Sequence, residues 1–126
     1  MQDTLTQADL DLLDQWGVCE KSAEYRKVGQ SLSEIPIEYR NWVFWRAAQK
    51  GNLTVIDRLL RAGITQWTID DAFYWAAQNG HLEVVRRLLE VGMSQQTINE
   101  ALWWTKSYKH TEIAELLEKH LTSNPI

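Results

Sequence analysis

The chain has 126 residues, of which 44% are apolar and 24% are charged, and its formal net charge is −4. This size favours one domain, and the composition is that of an ordinary globular protein, which excludes intrinsic disorder, a collagen-like chain and a disulfide scaffold. The acidic balance disfavours a nucleic-acid groove, and no apolar run approaches the roughly 18 residues that span a bilayer.

The compartment is predicted from Cys19 and from the first residues. A single cysteine cannot form an intramolecular disulfide, and the N-terminus has neither a basic start nor an apolar run. We therefore expect no signal peptide and a reducing compartment, either the cytoplasm of the producing cell or that of a host into which the protein is delivered.

Residues 1–34 are predicted to form a helical N-terminal cap. Thr6-Gln7-Ala8-Asp9 reads as a capping box, and Leu5 and Leu10 are spaced as a hydrophobic staple for a helix that ends at Trp16-Gly17.

A second short helix is predicted around residues 22–28, ending at Gly29. Pro36 then suits the first turn of the next helix.

The rest of the chain contains an internal repeat with a period of 29 residues. Residues 44–69 aligned with 73–98 give 14 identical pairs in 26 positions. A third, more divergent copy follows, in which His110-Thr111-Glu112-Ile113 corresponds to His81-Leu82-Glu83-Val84. A fixed period of this size indicates stacked supersecondary units, each burying its apolar face against its neighbours.

Each unit is predicted to contain two helices. The segments 68–71 and 97–100 resemble capping boxes at the start of the first helix, and Gly80 is placed to end that helix in a left-handed conformation. The second helix then covers residues 82–90, with apolar side chains on one face, and ends at Gly92.

Residues 73–92, FYWAAQNGHLEVVRRLLEVG, closely resemble the helical core of an ankyrin repeat, with its paired alanines, Gly-His and amphipathic second helix. The resemblance extends over about residues 42–120. It implies an all-α, ankyrin-like helical-repeat solenoid with an N-terminal helical cap. Residues 35–126 would then form about three repeats, near 36–65, 66–94 and 95–121, followed by a short tail.

The sequence also departs from the family pattern. The usual repeat has about 33 residues and a Thr-Pro-Leu-His opening, whereas here the period is 29 and Asp71-Ala72-Phe73-Tyr74 occupies those four positions. The missing residues fall between Gly63 and Thr68 and between Gly92 and Thr97, where β-hairpins project in the family. We therefore predict short loops.

No constellation of catalytic or metal-binding residues is recognisable. The three histidines are dispersed, without a His-Glu-x-x-His motif, and the glycines end helices and do not form a phosphate loop. The resemblance implies that His81 and His110 bond neighbouring loops. We expect a protein that is not an enzyme and needs neither metal nor cofactor.

The resemblance places one column of side chains, Arg46, Trp75 and Trp104, on the concave face of the solenoid. Neighbours at helical spacing extend this column into a candidate surface that is both aromatic and polar. It comprises Trp42, Arg46, Gln49, Lys50, Asp71, Trp75, Gln78, Asn79, Glu100, Trp104, Ser107 and Tyr108.

The remaining aromatic residues are predicted to pack inside the protein. The preceding column, Trp45, Tyr74 and Trp103, is expected between repeats, and Trp16 and Trp67 in core or cap contacts. The concave column itself has two interpretations. Its aromatic rings either anchor a partner or stack between adjacent repeats to compensate for the short repeat.

Three functional hypotheses follow. The first is a stand-alone module that binds another protein through the concave face, such as an inhibitor, an immunity protein or an adaptor. The second is a Trp-lined groove for a small ligand, a sugar or single-stranded nucleic acid. The third is a purely structural or self-associating role through the C-terminal edge, where Lys109 stands in the place of Gly51 and Gly80. We expect a monomer or weak self-association.

Overall fold

The computed structural model describes residues 4–16 and 28–123, with side chains up to residue 121. These residues form seven α-helices, one 3₁₀ helix and no strand, which confirms the all-α prediction. The α-helices are α1 (Gln7–Gln15), α2 (Ile37–Lys50), α3 (Leu53–Ala62), α4 (Gln66–Gln78), α5 (Leu82–Val91), α6 (Gln95–Ser107) and α7 (Thr111–Ser123), and the 3₁₀ helix is Leu32–Glu34. None of these helices is long and apolar enough to cross a membrane.

The capping box at the start of α1 forms as predicted. The Asp9 backbone N–H donates to Thr6 Oγ1 over 3.2 Å, and the Thr6 N–H donates to the Asp9 carboxylate over 2.8 Å. Leu10 packs against the cluster that contains Leu5, and α1 ends at the buried Trp16. Cys19 and residues 17–27, which include most of the predicted second helix, lie outside the described residues.

The helices of the repeats form two layers. In the inner layer α4 lies between α2 and α6, and in the outer layer α5 lies between α3 and α7. Phe44 and Phe73, one from each of the first two units, are completely buried, as are the paired alanines that follow them. Because the same positions are buried in successive units, one continuous core runs along the stack.

Only three residues, 63–65 and 92–94, join one unit to the next, which confirms the predicted short loops. The predicted capping boxes at 68–71 and 97–100 are wrong, because these loops leave room for the helices to begin three residues earlier. Thr65 and Ser94 are the N-caps, and their hydroxyls accept from the backbone N–H of Thr68 and Thr97. Likewise, α2 begins at Ile37, so Pro36 is its N-cap and not part of its first turn.

The threonines of the supposed boxes have a packing role instead. Thr68 and Thr97 are buried, and each hydroxyl lies within hydrogen-bonding distance of the N-cap hydroxyl, at 2.8 and 2.9 Å. Ile64, before the first N-cap, and Ile69, in the fourth helical position, hold the two positions of a hydrophobic staple.

Histidines connect successive units, as the resemblance implied. His81 Nε2 lies 2.8 Å from the carbonyl oxygen of Gln49, and His110 Nε2 lies 2.8 Å from that of Gln78. Both carbonyls belong to the end of the preceding inner helix, where they have no partner within the helix. The imidazoles therefore complete the hydrogen bonding of the helix ends and set the distance between units.

Arginines form a second periodic connection. Arg58 in α3 donates to both carboxylate oxygens of Asp9 in α1, at 2.6 and 2.9 Å. One period later, Arg87 in α5 donates to Asp57 in α3 over 2.6 Å. Each of these arginines thus binds an acidic residue of the preceding unit. The N-terminal segment is attached to the first repeat by the same kind of ion pair that joins the first repeat to the second.

The C-terminal edge of the third unit is polar where the second unit is apolar. Ala77 and Leu89 of the second unit are buried in the core, and the corresponding residues one period later are Lys106 and Glu118. Lys106 Nζ lies 2.7 Å from Glu118 Oε1, and both side chains are exposed. This surface has the polar character of a capping repeat.

Candidate functional site

The candidate site is the inner-helix face, which we define as the surface of α2, α4 and α6 turned away from α3, α5 and α7. Residues spaced by four lie above one another on a helix, so each inner helix presents one row of side chains. The rows are Glu38, Trp42, Arg46 and Lys50 on α2; Trp67, Asp71, Trp75 and Asn79 on α4; and Gln96, Glu100, Trp104 and Tyr108 on α6.

Exposed aromatic side chains are concentrated on this face and, at Trp103, on the adjoining C-terminal edge of α6. Trp67 is 76% exposed, Trp103 62%, Tyr108 49% and Trp104 40%. Large aromatic rings are costly to leave in water, and soluble monomers seldom group them at the surface without a binding role. The four residues come from the inner helices of the second and third units only.

The exposure of Trp67 and Trp103 contradicts the prediction that both are packing residues. Trp103 occupies the column of Trp45 and Tyr74, whose partners come from the following unit, and no following unit is present among the described residues. Trp67 belongs to the α4 row, two helical turns before Trp75. That spacing could have identified it from the sequence.

The remaining packing predictions are confirmed. Trp45 meets the next unit at Trp75, edge to face, with ring centroids 5.7 Å apart and planes at 89°. The Tyr74 hydroxyl donates to the Glu100 carboxylate over 2.5 Å. Trp75 is therefore half-buried and makes the inter-repeat contact that the stacking interpretation of its column predicts.

On α6 the aromatic rings contact one another. Trp104 stacks on Tyr108 with centroids 6.0 Å apart and planes at 23°, and Trp103 packs edge-on against Trp104 at 4.8 Å. Gln78 Nε2 donates to the Tyr108 hydroxyl over 3.1 Å, which fixes the tyrosine relative to α4. These contacts hold the rings in a defined arrangement while leaving much of their surface exposed.

The α2 part of the face is more buried and carries positive charge. Trp42 is half-buried and packs edge-on against Tyr39, with centroids 6.4 Å apart. The guanidinium of Arg46 lies 5.9 Å from the centre of the Trp45 ring and donates to Gln49 Oε1. Lys50 is exposed at the end of α2.

The α4 and α6 parts of the face carry negative charge. Burial raises the pKa of Asp71, and no hydrogen bond or ion pair to its carboxylate is formed by any described residue. Hydrogen bonds from Tyr74 and Gln96 lower the pKa of Glu100. In turn, burial and the hydrogen bond to Glu100 raise the pKa of Tyr74, so this bond joins an ionised carboxylate to a neutral phenol.

Two further predicted site residues have local roles. The Asn79 amide donates to the carbonyl oxygen of Trp75 within its own helix, and Ser107 is exposed at the end of α6. The structure thus brings most of the predicted site residues onto one face, with Gln49 and Gln78 also providing the carbonyls that accept from the histidines.

The comparison with protein families is decisive for the repeat region. A family model described as ankyrin repeats matches residues 44–125 in three copies. The chain belongs to the ankyrin repeat family. Searches of curated proteins and of solved structures returned no match.

Ankyrin repeats are in general protein-interaction modules, and they are typically not enzymes. In this ankyrin repeat protein the loops that replace the hairpins contain three residues each, too few to project from the stack. Among the described residues, no group of three or more His, Cys, Asp or Glu is placed to hold a metal ion.

Proposed function

We propose that this ankyrin repeat protein binds a partner protein through the inner-helix face, with Trp104 and Tyr108 as the anchoring residues. The observation that carries the proposal is the group of four exposed aromatic residues on α4 and α6. Tryptophan and tyrosine are the residue types that most often dominate binding energy at protein interfaces.

The stacked arrangement supports this role. Trp104 and Tyr108 are held by each other and by Gln78, so little side-chain entropy remains to be lost when a partner covers them. Trp103 and Trp67 extend the surface on either side of the pair. Polar groups at Gln96, Asn79 and Ser107 provide a rim around the rings.

The experiment is a selection of displayed random 12-residue peptides on the immobilised protein, followed by affinity measurements on the purified peptides. We expect Trp104→Ala to weaken the selected peptides at least about tenfold, because truncating a buried interface tryptophan typically costs 2 kcal/mol or more. Val91→Ala is the matched control, since Val91 is exposed at the end of α5, in the outer layer. Peptides that bind Trp104→Ala as tightly as the wild type would contradict the proposal.

A further inference from the structure

We infer that the partner segment that occupies repeats two and three is basic, and that one of its arginine or lysine side chains lies against the Asp71 carboxylate between the indoles of Trp67 and Trp75. This inference rests on the proposed function, and it names the chemistry of the partner.

Charge is unevenly distributed along the inner-helix face. The helices α4 and α6 contribute three carboxylates, Asp70, Asp71 and Glu100, and a single cation, Lys106. Lys106 is paired with Glu118 at the opposite edge of α6. The cationic residues of the face, Arg46 and Lys50, both belong to α2. A segment that crosses α4 and α6 therefore meets negative charge, and complementarity requires a positive one.

The carboxylates of these two helices differ in their hydrogen-bond partners. Asp70 accepts from Gln66 Nε2 over 2.9 Å, and Glu100 accepts from Tyr74 and Gln96. Asp71 has no such donor among the described residues, although it is half-buried. A partly desolvated carboxylate gains most from a cation that a partner supplies, because the unpaired charge is already costly.

Two tryptophans flank Asp71 along the α4 row. Trp67 lies four residues before Asp71 and Trp75 four residues after it, so the three side chains form consecutive steps of one row. One period later, Glu100 lies four residues before Trp104. A guanidinium or ammonium group is attracted both by a carboxylate and by the face of an indole, so this alternation favours a cation over an apolar or acidic side chain.

The test uses the peptides selected in the previous experiment whose binding depends on Trp104. We expect them to share an arginine or lysine at one aligned position. For one such peptide, replacing that arginine with its neutral isostere citrulline should weaken binding to the wild type at least fivefold. The same replacement should change binding to Asp71→Asn by less than twofold, because the carboxylate that the cation contacts is then absent.

Asp70→Asn is the matched control, since it removes the same charge from the adjacent residue, and we expect it to retain the full citrulline effect. Two outcomes would overturn this inference and leave the proposed function intact. In the first, the Trp104-dependent peptides share no basic position. In the second, citrulline weakens binding to the wild type and to Asp71→Asn by the same factor. Failure to select any Trp104-dependent peptide would instead overturn the proposed function, and with it the inference.

Discussion

The imidazole of His81 lies directly against Gly51. Its Nδ1 is so close that a methyl group at Gly51 would approach it to 2.5 Å, while its Nε2 is 2.8 Å from the carbonyl oxygen of Gln49. Gly51 also has a φ of 71°. A glycine is therefore needed at the end of α2 both for the left-handed backbone and for the ring of the next unit.

This relationship predicts the cost of Gly51→Ala. A methyl group in the left-handed region costs about 1–2 kcal/mol, and displacing the imidazole adds the loss of a hydrogen bond to a helix end, about 1 kcal/mol. Gly29→Ala separates the two contributions, because Gly29 has a φ of 88° but no described atom within 4 Å of the added methyl. Urea denaturation should show the larger loss for Gly51→Ala. Equal losses would mean that the imidazole contact contributes nothing.

Lys109 occupies the same position in the third unit and keeps a left-handed backbone, with a φ of 61°. The lysine is tolerated because no imidazole from a following unit lies against it among the described residues. We expect Lys109→Gly to raise the free energy of unfolding by about 1 kcal/mol, since only the backbone strain is relieved. Chemical denaturation measures this gain, and a loss of stability would contradict the explanation.

Alanine variants of the tryptophans on the inner-helix face should differ in how much stability they lose. Trp75→Ala removes a half-buried ring that contacts Trp45, so we expect a loss of about 2–3 kcal/mol. Trp67→Ala removes a largely exposed ring and Trp104→Ala a ring that is 40% exposed and contacts other surface rings, so each should cost less than about 1 kcal/mol. Thermal and urea denaturation of the three variants measure the order. A loss of 3 kcal/mol or more for Trp104→Ala would place it in the core and contradict its role as a surface anchor.

The Asp9–Arg58 pair should make stability depend on pH. Partial burial raises the pKa of Asp9, but hydrogen bonds from Arg58 and Thr6 and the charge of Arg58 outweigh burial, and the net pKa lies below its usual value. A carboxyl group whose pKa is lowered on folding stabilises the protein above its unfolded pKa of about 3.9. This contribution is lost as the pH falls through that value towards the folded pKa.

Asp9→Asn should therefore be less stable than the wild type at pH 7 by about 1.5–3 kcal/mol, the usual range for hydrogen bonds to a charged group. The difference should shrink as the pH is lowered below about 4. Melting temperatures measured from pH 7 to pH 3 test this behaviour, with Asp11→Asn as a control on the exposed side of α1. A difference between wild type and Asp9→Asn that is constant over this range would contradict the assigned role of the pair.

The polar C-terminal edge should keep further units from stacking on it. Replacing Lys106 with alanine and Glu118 with leucine restores the residues of the second unit, Ala77 and Leu89, which are buried in the core. We expect the double variant to self-associate, because the new apolar edge matches a surface that normally binds a repeat. Sedimentation at several concentrations should show a mass that rises with concentration for the variant. A variant that sediments like the wild type would contradict this explanation of the edge.

The residues of the repeat themselves determine much of this architecture. The 29-residue period and the helix signals within it predict stacked units of two helices, and the resemblance to ankyrin repeats, whose usual period is longer, implies short loops and histidines that connect units. The N-cap that begins the first helix of each unit could not be located from the sequence pattern alone. Thr65-x-x-Thr68 and Thr68-x-x-Asp71 both fit a cap, and the choice depended on the three-residue loop that places Thr68 inside the helix.

The environment of each tryptophan was decided by the tertiary structure. Trp45 and Trp103 hold the same place in the repeat, yet Trp45 contacts Trp75 of the next unit and Trp103 is exposed at the end of the stack. A repeat determines which direction a side chain points, because helical spacing is a local property. Whether another unit covers that side chain is a long-range property, and it separates the buried packing residues from the exposed ones.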